Sequence, residues 1–367
     1  MKIGITTAFF QNYHAGTWVY ASSLLKSLDA QAKGDNSFFT LDRLDSSVAG
    51  LVNIPHLTYP IATGKLAKLS WPNLVLPRTA ARDDFDLIHS TTHYGTFVPC
   101  KYKNVITVTD VSPLLHPETH GRMQVLYHRY FLPQVLKRAD AVITISESSK
   151  RDILACCPMP EEKIHAIPLG VDRRFTPDEA LLNAFAETLP KEYILYIGTL
   201  EARKNLPRLL AAYAIARRKG LSQKLLIGGA KGWRLSSLAA VVDEYTLQDH
   251  VVFLGYVADE ELPTLYARAD FFVYPSLYEG FGMPILEAMA CGTPVITSDC
   301  SSMPEVAGDA ALLIDPLNVA DIADKMLDLA ASPERRALLR SAGLARAALF
   351  SWQETARRTT DVYRKVV

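Results

Sequence analysis

Residues 271–299 read FFVYPSLYEGFGMPILEAMACGTPVITSD, and their order predicts a strand, a glycine-rich loop, a helix and a second strand. The first run, 271–274, is apolar and aromatic like a buried strand, and turn-forming residues follow it. Pro284 suits the first position of a helix, and Gly292 suits the position just past a helix end. A second apolar run, 294–297, predicts the next strand. Strands that alternate with helices in this way indicate a parallel sheet flanked by helices.

Two carboxylates lie in this unit. Glu279 is in the loop, and Glu287 is predicted in the first turn of the helix, so a loop that folds back brings both acids to the helix N-terminus. Unpaired N–H groups and the helix dipole make that end suitable for an anion. A phosphorylated sugar or a nucleotide has both the anion and the hydroxyl groups that such a site would bind. The alternative is structural, because glutamate in a first turn also stabilises a helix that binds nothing.

The composition predicts a globular protein with room for two domains. The chain has 367 residues, 49% of them hydrophobic and 21% charged, which is enough for two separate cores. Its formal net charge is zero, which argues against nucleic acid as the main partner. No signal peptide is recognisable, no uncharged apolar run reaches the roughly 20 residues of a membrane span, and the cysteines show no paired spacing. We therefore expect a cytoplasmic protein.

The first half of the chain also alternates strands with helices. Residues 86–89 and 105–109 predict buried strands, 122–138 a helix, and Ser146 the N-cap of the next helix. Loops at the carboxyl ends of parallel strands border ligand clefts, so their polar side chains are candidates for binding the hydroxyl groups of a ligand, which the family resemblance given below implies is the acceptor. These candidates are His93, Tyr94 and His116. A metal site is the rival interpretation, but the histidine spacings are irregular and we expect no metal.

One interpretation of the segment 61–82 is that it contacts a membrane. It combines basic residues with Trp71 and several leucines, a composition that suits an anionic membrane surface or an anionic acceptor. A solvated face is the commoner alternative, and Pro72 and Pro77 are expected to interrupt a long helix. The basic residues are Lys65, Lys68, Arg78 and Arg82.

The segment EGFGMPILE, residues 279–287, resembles the signature of the retaining glycosyltransferases of family four, the group 1 glycosyltransferases, and within them bacterial mannosyltransferases. The resemblance implies an α/β fold of the GT-B architecture, in which two Rossmann-like domains with parallel sheets face each other across a cleft. It implies an acceptor domain in residues 1–172 and a donor domain in residues 173–349. A terminal helix within 350–367, with its amphipathic pattern in 352–366, would cross back to the first domain.

The resemblance also implies residues that bind a nucleotide-diphosphate sugar. GTLEARKN, residues 198–205, resembles the family motif that grips the diphosphate, through Arg203 and Lys204 here. Two cations in a loop after a strand suit that ligand. The family pattern implies that Glu279 binds the sugar and Glu287 the ribose hydroxyls. The further donor contacts it implies are Gly16, Gly198, Tyr256, Gly280, Phe281, Gly282, Met283 and Pro284.

The chain departs from the family pattern near the reacting sugar. VITVTDVSPLLHPETH, residues 105–120, resembles the strand and loop in which the family usually has His-Asp. Thr109 stands in the place of that histidine, Asp110 is retained, and His116 is a candidate to compensate. The catalytic candidates are therefore Glu279, Asp110, Arg203 and Lys204.

The function implied by the resemblance is the metal-independent, retaining transfer of a hexose from a nucleotide sugar to a glycan hydroxyl. The nucleotide sugar is a co-substrate, and no cofactor is expected. Residues 108–118 and 295–311 look most like bacterial mannosyltransferases that build surface polysaccharides such as lipopolysaccharide, which favours GDP-mannose as donor; a UDP-sugar is the alternative. A polyprenyl-diphosphate-linked glycan acceptor would place the enzyme on the inner face of the cytoplasmic membrane. A nucleotide-sugar epimerase and a non-catalytic nucleotide-sugar binding protein are the rival classes.

Overall fold

The computed structural model describes two compact units of the chain. One unit comprises Met1–Gly170 and Ser351–Val367, and the other comprises Val171–Phe350. We call them the N-terminal unit and the C-terminal unit. The described residues are 1–7, 16–31, 36–41, 52–57, 59, 67–178, 187, 189–230 and 238–367, with only the backbone of Lys68.

The N-terminal unit is built on a parallel sheet whose described strands lie in the order β2-β1-β3-β4-β5-β6. Residues such as Ile3, Ile88 and Val142 are fully buried, since helices cover parallel sheets and leave the strands continuously apolar. The strand order changes direction between β1 and β3, and ligands bind at the carboxyl ends of strands beside such a point. The strands are β1 (Lys2–Thr6), β2 (Ser37–Thr40), β3 (Leu87–Ser90), β4 (Lys103–Thr107), β5 (Ala141–Thr144) and β6 (Ile164–Ala166).

The helices of this unit connect its strands. The segment 122–138, predicted as one helix, forms two helices that meet at Phe131, with Pro133 in the first turn of the second. The predicted cap is confirmed, because the Oγ atom of Ser146 accepts a hydrogen bond of 2.9 Å from the backbone N–H of Ser149. The helices are α1 (Gly16–Gln31), α2 (Ala67–Ser70), α3 (Leu76–Arg82), α4 (Ser112–Leu115), α5 (Arg122–Tyr130), α6 (Leu132–Arg138) and α7 (Glu147–Cys156).

A π-helical stretch, Trp71–Val75, joins α2 to α3. A long α-helix is therefore interrupted as expected, since Pro72 and Pro77 each fall at the start of a new helical element, where a missing N–H costs little. The three short elements follow one another directly over residues 67–82. The Trp71 side chain is 2% exposed and packs in a core cluster with Leu76. Trp71 is therefore part of the core and does not face solvent, whereas Leu74, Arg78 and Arg82 are exposed, so a membrane contact of this segment stays a prediction without Trp71. Lys65 lies outside the described residues.

The terminal helix, Trp352–Val366, has the bounds that its amphipathic pattern predicts and belongs to the N-terminal unit. The Thr355 hydroxyl donates to the carbonyl of Pro168 at 2.8 Å. The Tyr363 hydroxyl lies 2.6 Å from Nδ1 of His89 in the buried interior. Burial lowers the pKa of His89 to about 3, so this ring is neutral and structural.

The C-terminal unit contains a second parallel sheet, with described strands in the order β12-β11-β10-β7-β8-β9. Counted from β7, this is the doubly wound 3-2-1-4-5-6 order, whose ligand-binding switch point lies between β7 and β10. The predicted strand, loop, helix and strand of residues 271–299 are confirmed as β10 (Phe271–Tyr274), α11 (Met283–Ala290) and β11 (Val295–Ser298). The strands are β7 (Tyr193–Ile197), β8 (Lys224–Gly228), β9 (Val251–Gly255), β10 (Phe271–Tyr274), β11 (Val295–Ser298) and β12 (Leu312–Ile314).

Helices connect the strands of this sheet as well. Gly292, just past α11, has φ of +73°, the left-handed conformation expected at a helix end. Among the described residues, no helix is both long enough and apolar enough to cross a membrane. The helices are α8 (Leu206–Arg218), α9 (Leu238–Glu244), α10 (Leu262–Arg268), α11 (Met283–Ala290), α12 (Met303–Ala307), α13 (Val319–Ala331) and α14 (Pro333–Ala347), followed by the terminal helix α15 (Trp352–Val366).

Candidate active site

The loops after β7 and β10 are tied together at the switch point of the C-terminal sheet. The loop after β7 forms a short 3₁₀ turn, Ala202–Lys204, and reverses at Asn205, which has φ of +63°. The side-chain amide of Asn205 donates to the carbonyl of Pro275 at 3.0 Å. The backbone N–H of Leu277 donates to the carbonyl of Arg203 at 2.8 Å. The cations of one loop are thus held against the glycine-rich loop that follows β10.

The loop after β8 approaches the same place closely. Gly229 has φ of +149°, and a Cβ atom on it would lie 2.0 Å from the carbonyl oxygen of Gly198. Glycine is therefore required at position 229 for the backbone of these two loops to touch. Gly198, a predicted donor contact, lies directly after β7 at this junction.

Glu279 forms a buried ion-pair cluster with both predicted diphosphate-binding cations. The Nζ atom of Lys204 lies 2.5 Å from Oε1 of Glu279, and Nη1 of Arg203 lies 3.0 Å from Oε2. Lys204 is 5% exposed and Glu279 is 7% exposed. Arg203 also pairs with Glu201 at 3.0 Å. The structure thus joins three of the four catalytic candidates in one cluster.

The charges of this cluster control its protonation. Burial alone would raise the pKa of Glu279, but the Lys204 and Arg203 charges outweigh it and lower that pKa to about 2. Burial, and next the neighbouring Arg203 charge, lower the pKa of Lys204 to about 8, while Glu279 favours the charged form. The two cations of the cluster are therefore balanced by two carboxylates, Glu279 and Glu201, in the protein without a ligand.

Tyr274, a residue that the sequence predicted only as part of a strand, bridges the ion pair. Its hydroxyl accepts a hydrogen bond of 2.6 Å from Lys204 Nζ and donates one of 2.9 Å to Oε1 of Glu279. The ring of Tyr196 stacks on that of Tyr274 at a centroid distance of 6.1 Å. The Tyr196 hydroxyl is buried and has no hydrogen-bond partner within the described part of the chain. Both tyrosines are fully buried, so the ion pair rests on an aromatic layer of the core.

Two serines fix the backbone of the glycine-rich loop. The Ser301 hydroxyl donates to the carbonyl of Glu279 at 2.7 Å. The Ser302 hydroxyl lies 2.9 Å from the carbonyl of Glu279 and 2.9 Å from that of Phe281. The side chain of Phe281 is buried, with the residue 3% exposed, so only its backbone can make the predicted contact with the donor. Side-chain hydrogen bonds therefore hold the backbone of this loop at two of its carbonyl groups.

The helix after this loop begins one residue earlier than predicted. Gly282, with φ of +98°, forms the N-cap, Met283 is the first helical residue and Pro284 the second. The first turn contains no acidic residue, and Glu287 lies in the second turn. The expectation that both acids meet at the helix N-terminus is therefore wrong.

Glu287 instead has a tyrosine as its partner. Its Oε2 atom accepts a hydrogen bond of 3.0 Å from the hydroxyl of Tyr266. Burial raises the pKa of Glu287 to about 7, against the hydrogen bond from Tyr266 and the charge of Arg174. A carboxylate that titrates near neutral pH can accept hydrogen bonds from hydroxyl groups once it is deprotonated.

The remaining predicted donor contacts are Tyr256, Gly280 and Gly16. Tyr256 follows β9, the edge strand, two strands away from β7, and is 59% exposed. Gly280 lies between Glu279 and the buried Phe281, in the loop that the two serines hold. Gly16 is exposed at the first position of α1 in the N-terminal unit.

The candidates of the N-terminal unit lie beside helices α4 and α5. The His93 ring lies 4.2 Å from that of Tyr94 and 4.5 Å from that of His128 on α5. The hydroxyl of Tyr127, also on α5, donates to the carbonyl of His93 at 3.0 Å. His128 and Tyr127 were not predicted, because their helical spacing is indistinguishable from ordinary packing.

Asp110 and His116 lie at the two ends of α4. The Oδ1 atom of Asp110 accepts a hydrogen bond of 2.8 Å from the N–H of Ser112, the first helical residue. His116 is the C-cap, and its Nδ1 atom lies 3.6 Å from Oε1 of Glu118. Burial lowers the pKa of His128, and the charge of Asp110 acts against that shift. The carboxylate of Asp110 therefore caps the start of α4 and acts on His128 through its charge.

Among the residues that the structure describes, no group of three or more His, Cys, Asp and Glu side chains is placed to hold a metal ion. The described acids of the C-terminal site bind cationic side chains or tyrosine hydroxyls instead.

Two family models match this chain. The model described as Glycosyltransferase Family 4 matches residues 15–175, and the model described as Glycosyl transferases group 1 matches residues 179–346. The chain is 36% identical over 296 residues to the O-antigen chain mannosyltransferase B of Escherichia coli, covering 78% of this chain and 76% of that protein. It is 30% identical over 312 residues to the O-antigen chain mannosyltransferase RfbU of Salmonella typhimurium, covering 82% and 83%.

The solved structures agree on the fold. Sucrose-phosphate synthase from Thermosynechococcus elongatus is similar with a TM-score of 0.78 and 22% identity, over 100% of this chain and 98% of that one. The two parallel sheets and these similarities define the class as a glycosyltransferase with two Rossmann-like domains, the GT-B architecture. Within that class, the chain belongs to family four, the group 1 glycosyltransferases.

Proposed function

We propose that this glycosyltransferase transfers mannose from GDP-mannose to a hydroxyl of a glycan, or of a polyprenyl-diphosphate-linked glycan, in the synthesis of a surface polysaccharide. The observation that carries the proposal is the buried cluster of Glu279, Arg203 and Lys204 at the switch point of the C-terminal sheet. Mannose is favoured because relatives with 36% and 30% identity over most of the chain are O-antigen mannosyltransferases.

In the proposed donor complex, Arg203 and Lys204 bind the diphosphate. The guanidinium can bind two phosphate oxygens with its planar fork, and the ammonium adds a point charge. Their positions are fixed before the donor binds, so they stabilise the negative charge that develops on the leaving diphosphate. This arrangement would supply the stabilisation without a metal ion or a cofactor.

The two glutamates bind hydroxyl groups in this proposal. Glu279 stays ionised at every physiological pH because its pKa is about 2, and it accepts hydrogen bonds from the transferred sugar. Glu287 accepts hydrogen bonds from the ribose of the nucleotide. The backbone of Phe281, Gly282 and Met283 lies beside Glu279 in the loop and would contact sugar or phosphate.

The acceptor side is assigned to the N-terminal unit. Asp110 lies near the group of His93, Tyr94 and His128, where carboxylate, imidazole and phenol groups can bind a sugar hydroxyl. We propose that the acceptor hydroxyl attacks the anomeric carbon from the same face that the diphosphate leaves. Such an attack retains the anomeric configuration.

A transfer assay tests the proposal. The full-length protein is incubated with GDP-mannose or UDP-glucose and a mannose-terminated oligosaccharide, with and without a chelator, and the anomeric configuration of the product is measured by NMR. We expect an α-mannosyl product from GDP-mannose alone, unaffected by the chelator, and a loss of about 100-fold or more in Lys204→Met. Transfer from UDP-glucose instead would contradict the donor. An isomerised donor would identify an epimerase, and an intact donor with every acceptor would identify a binding protein.

A further inference from the structure

Helix α5 exposes an apolar row to solvent. Met123 is 64% exposed, Leu126 is 44% exposed and Tyr130 is 58% exposed. Their spacings of three and four residues place the three side chains on one face of the helix. His128, on the opposite face, is 1% exposed. Exposed side chains of this size in a continuous row are unusual on a soluble surface and mark an interaction site.

Positive charge lies beside this row. Arg122 and Arg129 are exposed and seven residues apart, so they lie on the same side of the helix, next to the apolar side chains. Residues 122–138, which form α5 and α6, also contain Lys137 and Arg138 and include no aspartate or glutamate. The acids nearest in sequence are the exposed Glu118 before α5, and Asp140 after α6, whose Oδ1 atom pairs with Lys103 at 3.3 Å.

The inner face of α5 contacts the candidate acceptor residues. The Tyr127 ring lies 4.8 Å from that of Tyr94, and the His128 ring lies 4.5 Å from that of His93. One helix therefore presents acceptor candidates on its inner face and an apolar, basic surface on its outer face. A surface in this position can bring the acceptor site to the place where a lipid-linked glycan is anchored.

We propose that the α5 face, defined as Arg122, Met123, Leu126, Arg129 and Tyr130, docks onto a bilayer that contains anionic lipid. Apolar side chains enter the boundary between headgroups and acyl chains, tyrosine prefers that boundary, and arginines attract anionic headgroups. The excess of cations without acids on α5 and α6 complements this one partner. The inference extends the proposed function, since it rests on a lipid-linked acceptor for its biological purpose, but it does not depend on which sugar is transferred.

The test is flotation of the full-length protein with lipid vesicles in the absence of any nucleotide. One set of vesicles is phosphatidylcholine alone, and the other is an equal mixture of phosphatidylcholine and phosphatidylglycerol. The variants are Arg122→Gln with Arg129→Gln, and Met123→Ser with Leu126→Ser. The matched control replaces two exposed leucines of the C-terminal unit, Leu338→Ser with Leu349→Ser, which are 70% and 68% exposed.

We expect the wild type and the control to float with the anionic vesicles and to be released by salt. Removing the two arginines should weaken partitioning by about 30-fold, roughly fivefold for each charge. The serine variant should also lose binding and should keep its transfer activity on a soluble oligosaccharide.

Failure of the wild type to bind anionic vesicles would overturn the inference, as would equal binding by the α5 variants. A wild-type dimer in size-exclusion chromatography that the serine variant abolishes would overturn it as well, because a second copy would then cover the face. None of these outcomes bears on the proposed donor, which the transfer assay tests with a soluble acceptor.

Discussion

The Nζ atom of Lys204 lies 2.5 Å from Oε1 of Glu279, in an ion pair whose two side chains are 7% and 9% exposed. Removing one member of a buried pair leaves the other charge poorly compensated, and this costs more than the pair itself contributes. Arg203 remains on the other carboxylate oxygen and limits that cost. The geometry therefore makes the pair a requirement for the free protein as well as a candidate for the donor site.

Replacement of Lys204 by methionine should lower the free energy of unfolding by about 3 kcal/mol. The measurement is urea unfolding followed by circular dichroism. The matched control is Lys219→Met, because Lys219 pairs with Asp324 at 2.9 Å on the exposed surface and should contribute less than about 1 kcal/mol. Equal losses of unfolding free energy in Lys204→Met and Lys219→Met would show that Lys204 is not needed to compensate the buried charge of Glu279.

Tyr274→Phe removes the hydroxyl that bridges Lys204 and Glu279, and should lower the free energy of unfolding by about 1–2 kcal/mol. Tyr196→Phe is the matched control. Its ring stacks on Tyr274, but its hydroxyl makes no hydrogen bond within the described residues, so its loss should be neutral. The same urea titration compares them. A larger effect in Tyr196→Phe would contradict this assignment of the two hydroxyls.

Glu287→Gln should change how stability depends on pH. The pKa of Glu287 is raised from 4.5 to about 7 in the folded chain, so between these values the folded state holds a proton that the unfolded state releases. The free energy of unfolding of the wild type should therefore fall as pH rises through this window. Relative to the glutamine variant, the fall should be on the order of 2 kcal/mol between about pH 5 and about pH 8. Parallel pH profiles of the two proteins would contradict the raised pKa.

Gly282→Ala should destabilise the glycine-rich loop. Gly282 has φ of +98°, and a Cβ atom there would lie 3.1 Å from a methyl carbon of Ile285. An alanine should cost about 1–2 kcal/mol for the backbone conformation. Gly121→Ala is the control, because Gly121 has φ of −70° and open space around it. Thermal unfolding compares the two variants, and equal midpoints would show that the loop accepts a side chain.

The sequence predicts the strands and the terminal helix well because their patterns are local. The apolar run 271–274 is β10 without change, and the amphipathic pattern 352–366 is α15 without change. The patterns are strong there because each element packs a continuous face against the rest of its unit. The short strand β12 (Leu312–Ile314) was missed, since three apolar residues carry no distinct period.

The sequence predictions fail where tertiary packing, and not the local pattern, determines the structure. The start of α11 depends on the left-handed backbone of Gly282, which moves Glu287 out of the first turn. The sequence pattern places Trp71 on an amphipathic surface, but its side chain packs in the core. Tyr274 is a buried strand residue by pattern, and only its position at the carboxyl end of β10 could have suggested that its hydroxyl reaches a ligand site. The exposure of the apolar row on α5 was not predicted either, because it depends on which side of the helix packs against the core.

The measurement that tests the central claim most directly is thermal unfolding in the presence of GDP, UDP, ADP, dTDP and the nucleoside guanosine. The wild type is compared with Lys204→Met and with the control Lys219→Met. At about 100 times its dissociation constant, a bound nucleotide stabilises by roughly 2.7 kcal/mol. If Arg203 and Lys204 bind the donor diphosphate, GDP raises the midpoint of the wild type and of the control, whereas guanosine, or GDP with Lys204→Met, does not. Equal stabilisation of all three proteins by GDP, or no stabilisation by any nucleotide, would contradict the assignment of the cluster as the donor site.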